Sequence, residues 1–64
     1  GSEIMNKQEF EKQIKACKSI SKTQDEYTYG ATKVIQKYAN DNHIDYGRAL
    51  EVYKEVINNI NKTK

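Results

Sequence analysis

The sequence predicts an all-α fold, a bundle of three helices over residues 7–20, 24–40 and 45–61. Three observations predict it. Apolar residues recur every three or four positions within each segment, the spacing of one helix face. Two short polar stretches, residues 19–24 and 40–43, separate the segments. The chain holds no proline and three glycines, so little else interrupts a helix.

In the first helix Phe10, Ile14, Cys17 and Ser21 share one narrow face. Lys7, Glu11, Lys15, Lys18 and Lys22 line another, with Glu11 four residues from both Lys7 and Lys15. Lysines in the last turn complement the helix dipole. The second helix opens at Thr23, whose spacing to Glu26 is that of a capping box. Asp25 and Glu26 add negative charge at the positive end of the dipole. Tyr27, Ala31, Val34 and Tyr38 then form an apolar stripe, widened by Ile35. Gly30 within it costs about 1 kcal/mol relative to alanine, which a close helix crossing would explain. The third helix has Asp45 as its N-cap, with Ile44 and Ala49 at the spacing of a hydrophobic staple. Tyr46, Ala49, Leu50, Tyr53, Val56, Ile57 and Ile60 cover a face about 120° wide, and Val52 widens it further. A face that broad can touch both other helices, or one of them and a second chain.

Sixty-four residues allow one domain, placed at 5–64. Gly1-Ser2 reads as a cloning scar, so residues 1–4 are set apart as a remnant, with Met5 as the expected native start. Ile, Leu, Val and Phe number only 12 of the 64 residues, close to the composition of disordered chains. Disorder also requires high net charge, and +2 is low. The expectation is a folded chain with a thin core that gains stability from self-association or from a partner. One cysteine excludes a disulfide scaffold and points to a reducing, cytoplasmic location. No apolar run approaches the ~18 residues of a membrane span, and no secretory pattern opens the chain. Lys, Ile, Asn and Tyr make up 28 residues and use A/T-rich codons. That composition points to a low-GC Gram-positive bacterium, its plasmids or its phages.

Catalysis is argued against by subtraction. The single histidine, His43, falls in a predicted loop, and Cys17 falls on an apolar stripe as a small buried hydrophobe. A Cys–His nucleophile pair would need the two brought together with an orienting third group. Metal-ligand spacings such as Cys-x-x-Cys or His-Glu-x-x-His are missing, and so is a glycine-rich phosphate loop. Asn40, Asp41, Asn42 and Asp45 offer oxygen ligands, but turn formation and capping account for them. No enzyme, cofactor, metal or small-molecule substrate is expected.

Two binding functions remain. Five tyrosines without a tryptophan suit a thin core and an interface rim, because a tyrosine buries its ring and keeps its hydroxyl wet. Three short helices do not enclose the four tyrosines that lie on apolar stripes, so some are expected at an interface. The partner-interface candidates are Tyr29, Lys33 and Lys37 on the polar side of helix two, and Arg48, Val52 and Val56 on helix three. The partner is then a protein, a second copy of the chain, or both, and the role is that of an adaptor, inhibitor or assembly factor. The alternative is an accessory nucleic-acid binder that sets Lys15, Lys18, Lys22, Lys33 and Lys37 against phosphates. Base reading by helix three is disfavoured, because its first turns carry Asp45 and Glu51 and Arg48 alone suits a base edge.

The run Ile35-Gln36-Lys37-Tyr38-Ala39, then Ile44-Asp45-Tyr46, then Ala49-Leu50 resembles a helical hairpin of small phage and mobile-element proteins. In those proteins a Tyr-Ala…Ile-x-Tyr-x-x-Ala-Leu run joins two helices. The resemblance covers a minority of the chain and rests on packing residues. It implies a phage, plasmid or integrated-element origin and a role in binding a protein or a nucleic acid. It implies no catalytic residues.

Overall fold

A computed structural model describes residues 4–62. Apart from Ile4, the expected remnant at residues 1–4 lies outside the described residues. Three helices follow one another: α1 (Lys7–Ile20), α2 (Gln24–Asn42) and α3 (Tyr46–Lys62). Every helix packs on the other two. Residue pairings give the directions. Phe10 meets Tyr38 and Cys17 meets Gly30, so α1 and α2 are antiparallel. Tyr27 meets Tyr53, and Gln36 lies beside Tyr46, so α2 and α3 are antiparallel too. Lys7 reaches Glu55 and Glu11 reaches Asn59, which sets α1 parallel to α3. The architecture is an up-down-up three-helix bundle.

Each helix begins where a side chain caps it. Asn6 accepts the Glu9 N–H at 2.8 Å, Thr23 the Glu26 N–H at 3.1 Å, and Asp45 the Arg48 N–H at 2.7 Å. The capping box of α2 differs in one bond from the sequence expectation. The Glu26 carboxylate takes the N–H of Lys22 at 2.8 Å rather than that of Thr23. The acidic end still satisfies a free donor, one residue earlier.

Helix α2 runs to Asn42, two residues past its predicted end. It closes on His43, which adopts the left-handed conformation (φ 56°, ψ 41°). His43 N–H bonds the Asn40 carbonyl at 3.3 Å and Ile44 N–H the Ala39 carbonyl at 3.0 Å, the paired bonds of a Schellman motif. Asn40, Asp41 and Asn42, read from sequence as turn residues, therefore form the last helical turn. Two of them hold the segment before α1. Asp41 accepts the Met5 N–H at 3.1 Å, and Asn42 donates to the Met5 carbonyl at 2.9 Å. The non-helical backbone at Met5 thereby finds partners for both of its polar groups. Its side chain is buried in the core, which the sequence did not predict.

The core joins Phe10 and Ile14 from α1, Ala31, Ile35, Tyr38 and Ala39 from α2, and Ala49 and Val56 from α3. Phe10 and Tyr38 stack with ring centroids 4.5 Å apart and planes 17° from parallel. Around them pack the half-buried Tyr27, Val34, Ile44, Leu50, Val52, Tyr53, Ile57 and Ile60. The broad face of α3 is therefore used within the chain. Its width lets it contact α1 and α2 together.

Gly30 lies at the α1–α2 crossing. A Cβ there would sit 2.6 Å from the Cys17 sulfur, closer than any real contact. Cys17 is buried, and its thiol points at the Tyr27 carbonyl at 3.7 Å. The close crossing that the glycine suggested is thus present.

Candidate interaction surface

Once the apolar stripes close on one another, the outer face of α2 stands opposite the core. At about 100° per residue, Asp25, Tyr29, Lys33, Gln36 and Asn40 fall within an arc of about 80° on the side away from Ala31 and Tyr38. All five are exposed. Tyr29 is 67% exposed, a high value for a large ring. The Lys33 ammonium lies 4.6 Å from its ring centroid, at cation–π distance. Near the far end of the same face, Gln36, Asn40, Asp45 and Tyr46 line a shallow cleft. Tyr46, at 37%, belongs to this surface rather than to the core stripe on which its spacing placed it. It stands in the first turn of α3, where the helix has just left α2.

The remaining interface candidates separate. Lys37 is exposed and pairs with Asp41 at 3.4 Å. Arg48 is exposed on the first turn of α3. Val56 is fully buried and is no surface residue. Its spacing put it at the edge of a broad face, but α1 and α2 together cover that edge. Val52 is half-buried against the same core and is largely taken up by packing. Val56 and, in part, Val52 thereby drop out as interface candidates, whereas Arg48 stays exposed on α3.

The five lysines proposed for phosphate contact fall into two groups on different sides of α1. Lys15 lies on the edge facing α3, paired with Glu11 at 3.6 Å and sharing a cleft with Asn59. Lys18 lies over the Tyr27 ring at 5.9 Å, and that tyrosine is bonded to Tyr53 of α3. Lys22 shares a cleft with Lys18 and Tyr27. Lys37 lines a cleft with Glu9 and Gln13, on the opposite edge of α1. Lys33 leans on Tyr29 on the outer face of α2. Lys15, Lys18 and Lys22 thus lie on one side of the bundle and Lys33 and Lys37 elsewhere, while Lys15, Lys18, Lys33 and Lys37 each have a carboxylate or a ring beside them.

Local electrostatics follow the contacts. The Lys7–Glu55 pair at 2.8 Å joins α1 to α3 in full solvent. Its hydrogen bond and charge hold Lys7 above its ordinary pKa and Glu55 below the usual carboxylate value. Tyr27 and Tyr53 share a hydrogen bond between their hydroxyls. Burial pushes the Tyr27 phenol well above its ordinary value, and the bond to Tyr53 adds to the shift.

Cys17 and His43 do not meet. Cys17 touches α2 at Gly30, whereas His43 lies thirteen residues farther along, about 20 Å at 1.5 Å per residue. Among the described residues no group of three or more His, Cys, Asp or Glu side chains could hold a metal ion. No helix among them is long and apolar enough to cross a membrane.

Sequence spacing identified Tyr29 as the odd aromatic on a polar face, and Lys33 beside it. Tyr46 and Gln36 were missed. Their proximity depends on how α3 leaves α2, which periodicity does not encode. No protein-family model, curated protein or solved structure matches this chain.

Proposed function

We propose that the chain is a non-catalytic protein-interaction module that docks through the outer face of α2, with Tyr29 as its anchor. One observation carries this reading: a tyrosine 67% exposed, with Lys33 over its ring, on a face that no other helix of the chain covers. A large ring on only two rotatable bonds loses little freedom on binding, and tyrosines are enriched among residues that dominate interface energy. Gln36 and Tyr46 extend the face with a polar and an aromatic contact. The role remains that of an adaptor, inhibitor or assembly factor, and the A/T-rich codon usage fits a mobile-element source.

The nucleic-acid reading is ranked second, because phosphate binding gains from lysines converging on one groove. Here they are divided by α1, and two are paired with carboxylates.

A photo-crosslinking residue at Gln36, compared with one at Lys12 on the outer face of α1, tests the proposal in source cells. The expected outcome is a protein adduct from position 36 that is lost with Tyr29→Ala and is missing from position 12. Equal labelling from both positions, or none from either, overturns it. Retention on DNA that falls steeply from low to moderate salt, and disappears in a Lys33→Glu/Lys37→Glu variant, decides for the nucleic-acid reading.

A further inference from the structure

We propose that the partner on the outer face of α2 is a second copy of this chain, paired antiparallel about a two-fold axis at Tyr29. This rests on the interaction reading above and names its partner. The order of charges along the face points to this partner. Asp25 lies four residues before Tyr29 and Lys33 four residues after it. Two copies of α2 laid antiparallel with Tyr29 opposite Tyr29 set Asp25 of each chain against Lys33 of its partner. Within the helix, Glu26 then faces Thr32. No charge in this register meets its own sign. A parallel pairing would oppose Asp25 with Asp25 and Lys33 with Lys33, so the face selects its own orientation.

A closed two-fold pair requires such a self-complementary patch, where residue i meets j and j meets i. Antiparallel helix dipoles add to the same preference. Lys33 is already poised over its own Tyr29 ring at 4.6 Å, from which it reaches outward to a facing carboxylate without leaving the strip. The facing helical segments, residues 24–34, run about 15 Å. Such a contact is small, so the association belongs to the weak, transient class.

Sedimentation equilibrium over concentrations from about 10 μM to about 1 mM tests this. The expected result is a rise in mass from 7.4 kDa toward twice that value. Asp25→Lys and Lys33→Asp each create two like-charge contacts per dimer and weaken self-association by about tenfold or more. Mixing the two single variants restores a dimer containing one of each, and the double variant Asp25→Lys/Lys33→Asp restores the homodimer. Far-UV circular dichroism of each variant separates lost pairing from lost fold. A chain that stays monomeric throughout, or a dimer indifferent to both charge changes, overturns the proposal. If the chain is monomeric while position 36 crosslinks a different protein, the self-pairing falls and the module reading stands. If position 36 crosslinks nothing and the chain is monomeric, both fall.

Discussion

A methyl group added at Gly30 would meet the Cys17 sulfur at 2.6 Å, and this contact reverses what helix propensity alone implies. Propensity makes Gly30→Ala stabilising by about 1 kcal/mol. Overpacking a tight crossing costs about 1–3 kcal/mol. The expected outcome is a net loss of about 1 kcal/mol, read from the midpoint of urea denaturation. In a Cys17→Ala background the sulfur is gone, and the same Gly30→Ala change becomes stabilising. A sign that does not invert between the two backgrounds refutes the packing account. Tyr27 gives a second expectation. Its folded phenol titrates above the unfolded value of 10.0, because burial and the Tyr53 hydroxyl disfavour its anion. A raised folded pKa stabilises the fold fully below the unfolded value and is lost as pH climbs above it. Thermal midpoints should therefore hold level up to about pH 9 and decline above about pH 10. Tyr27→Phe should flatten that decline. Gly30 was legible in the sequence as an anomaly, though its cause was not, since the neighbour that explains it is 13 positions away in the chain.

Among the elements, α2 shows how far capping logic carries. Its start was readable, because Thr23 and Glu26 act through local backbone geometry that spacing alone encodes. Its end was not. Asn40, Asp41 and Asn42 favour turns in isolation, but Asp41 and Asn42 gain partners at Met5 only if the helix continues. Tertiary bonds thus outweigh local preference and move the stop to His43. A β-carbon in the left-handed region costs roughly 1–2 kcal/mol, a strain that glycine lacks. His43→Gly should therefore stabilise the protein by about 0.5–1 kcal/mol, after glycine's greater chain entropy is allowed for. Chemical denaturation checks this, and a destabilised variant would show that the imidazole contributes contacts of its own. The helix α3 was legible in both its cap and its broad stripe. The destination of that stripe was undecided, because a face wide enough for two neighbours does not say whether both belong to one chain.

For the whole molecule, stability is thinly spread. A domain of this length holds about 3–10 kcal/mol in total, at roughly 0.05–0.15 kcal/mol per residue. Phe10 is fully buried and stacked on Tyr38, so it ties α1 to α2 at the centre of the core. Truncating a buried phenylalanine costs about 3–5 kcal/mol. Phe10→Ala is expected to leave much of the population unfolded at 25 °C, seen as loss of helical circular dichroism. A variant that retains cooperative unfolding with an unchanged midpoint would place the core elsewhere. The radius of gyration, 11.4 Å, is close to the ~11 Å of a packed chain of this length. On the outer face of α2 an exposed tyrosine then sits between charges of opposite sign.

The sequence by itself determined three helices, two of their starts through Thr23 and Asp45, and most of the residues that face inward, Tyr46 excepted. Those properties follow from a 3.6-residue period and from caps that act within one turn, both local in the chain. Tertiary structure alone decided that Val56 is buried, that Met5 belongs to the core, that α2 extends to Asn42, and that Tyr46 joins the open face. Each of these depends on which neighbour arrives from a distant part of the chain. Periodicity fixes the direction of a side chain about its own helix axis, and only packing fixes what it meets there.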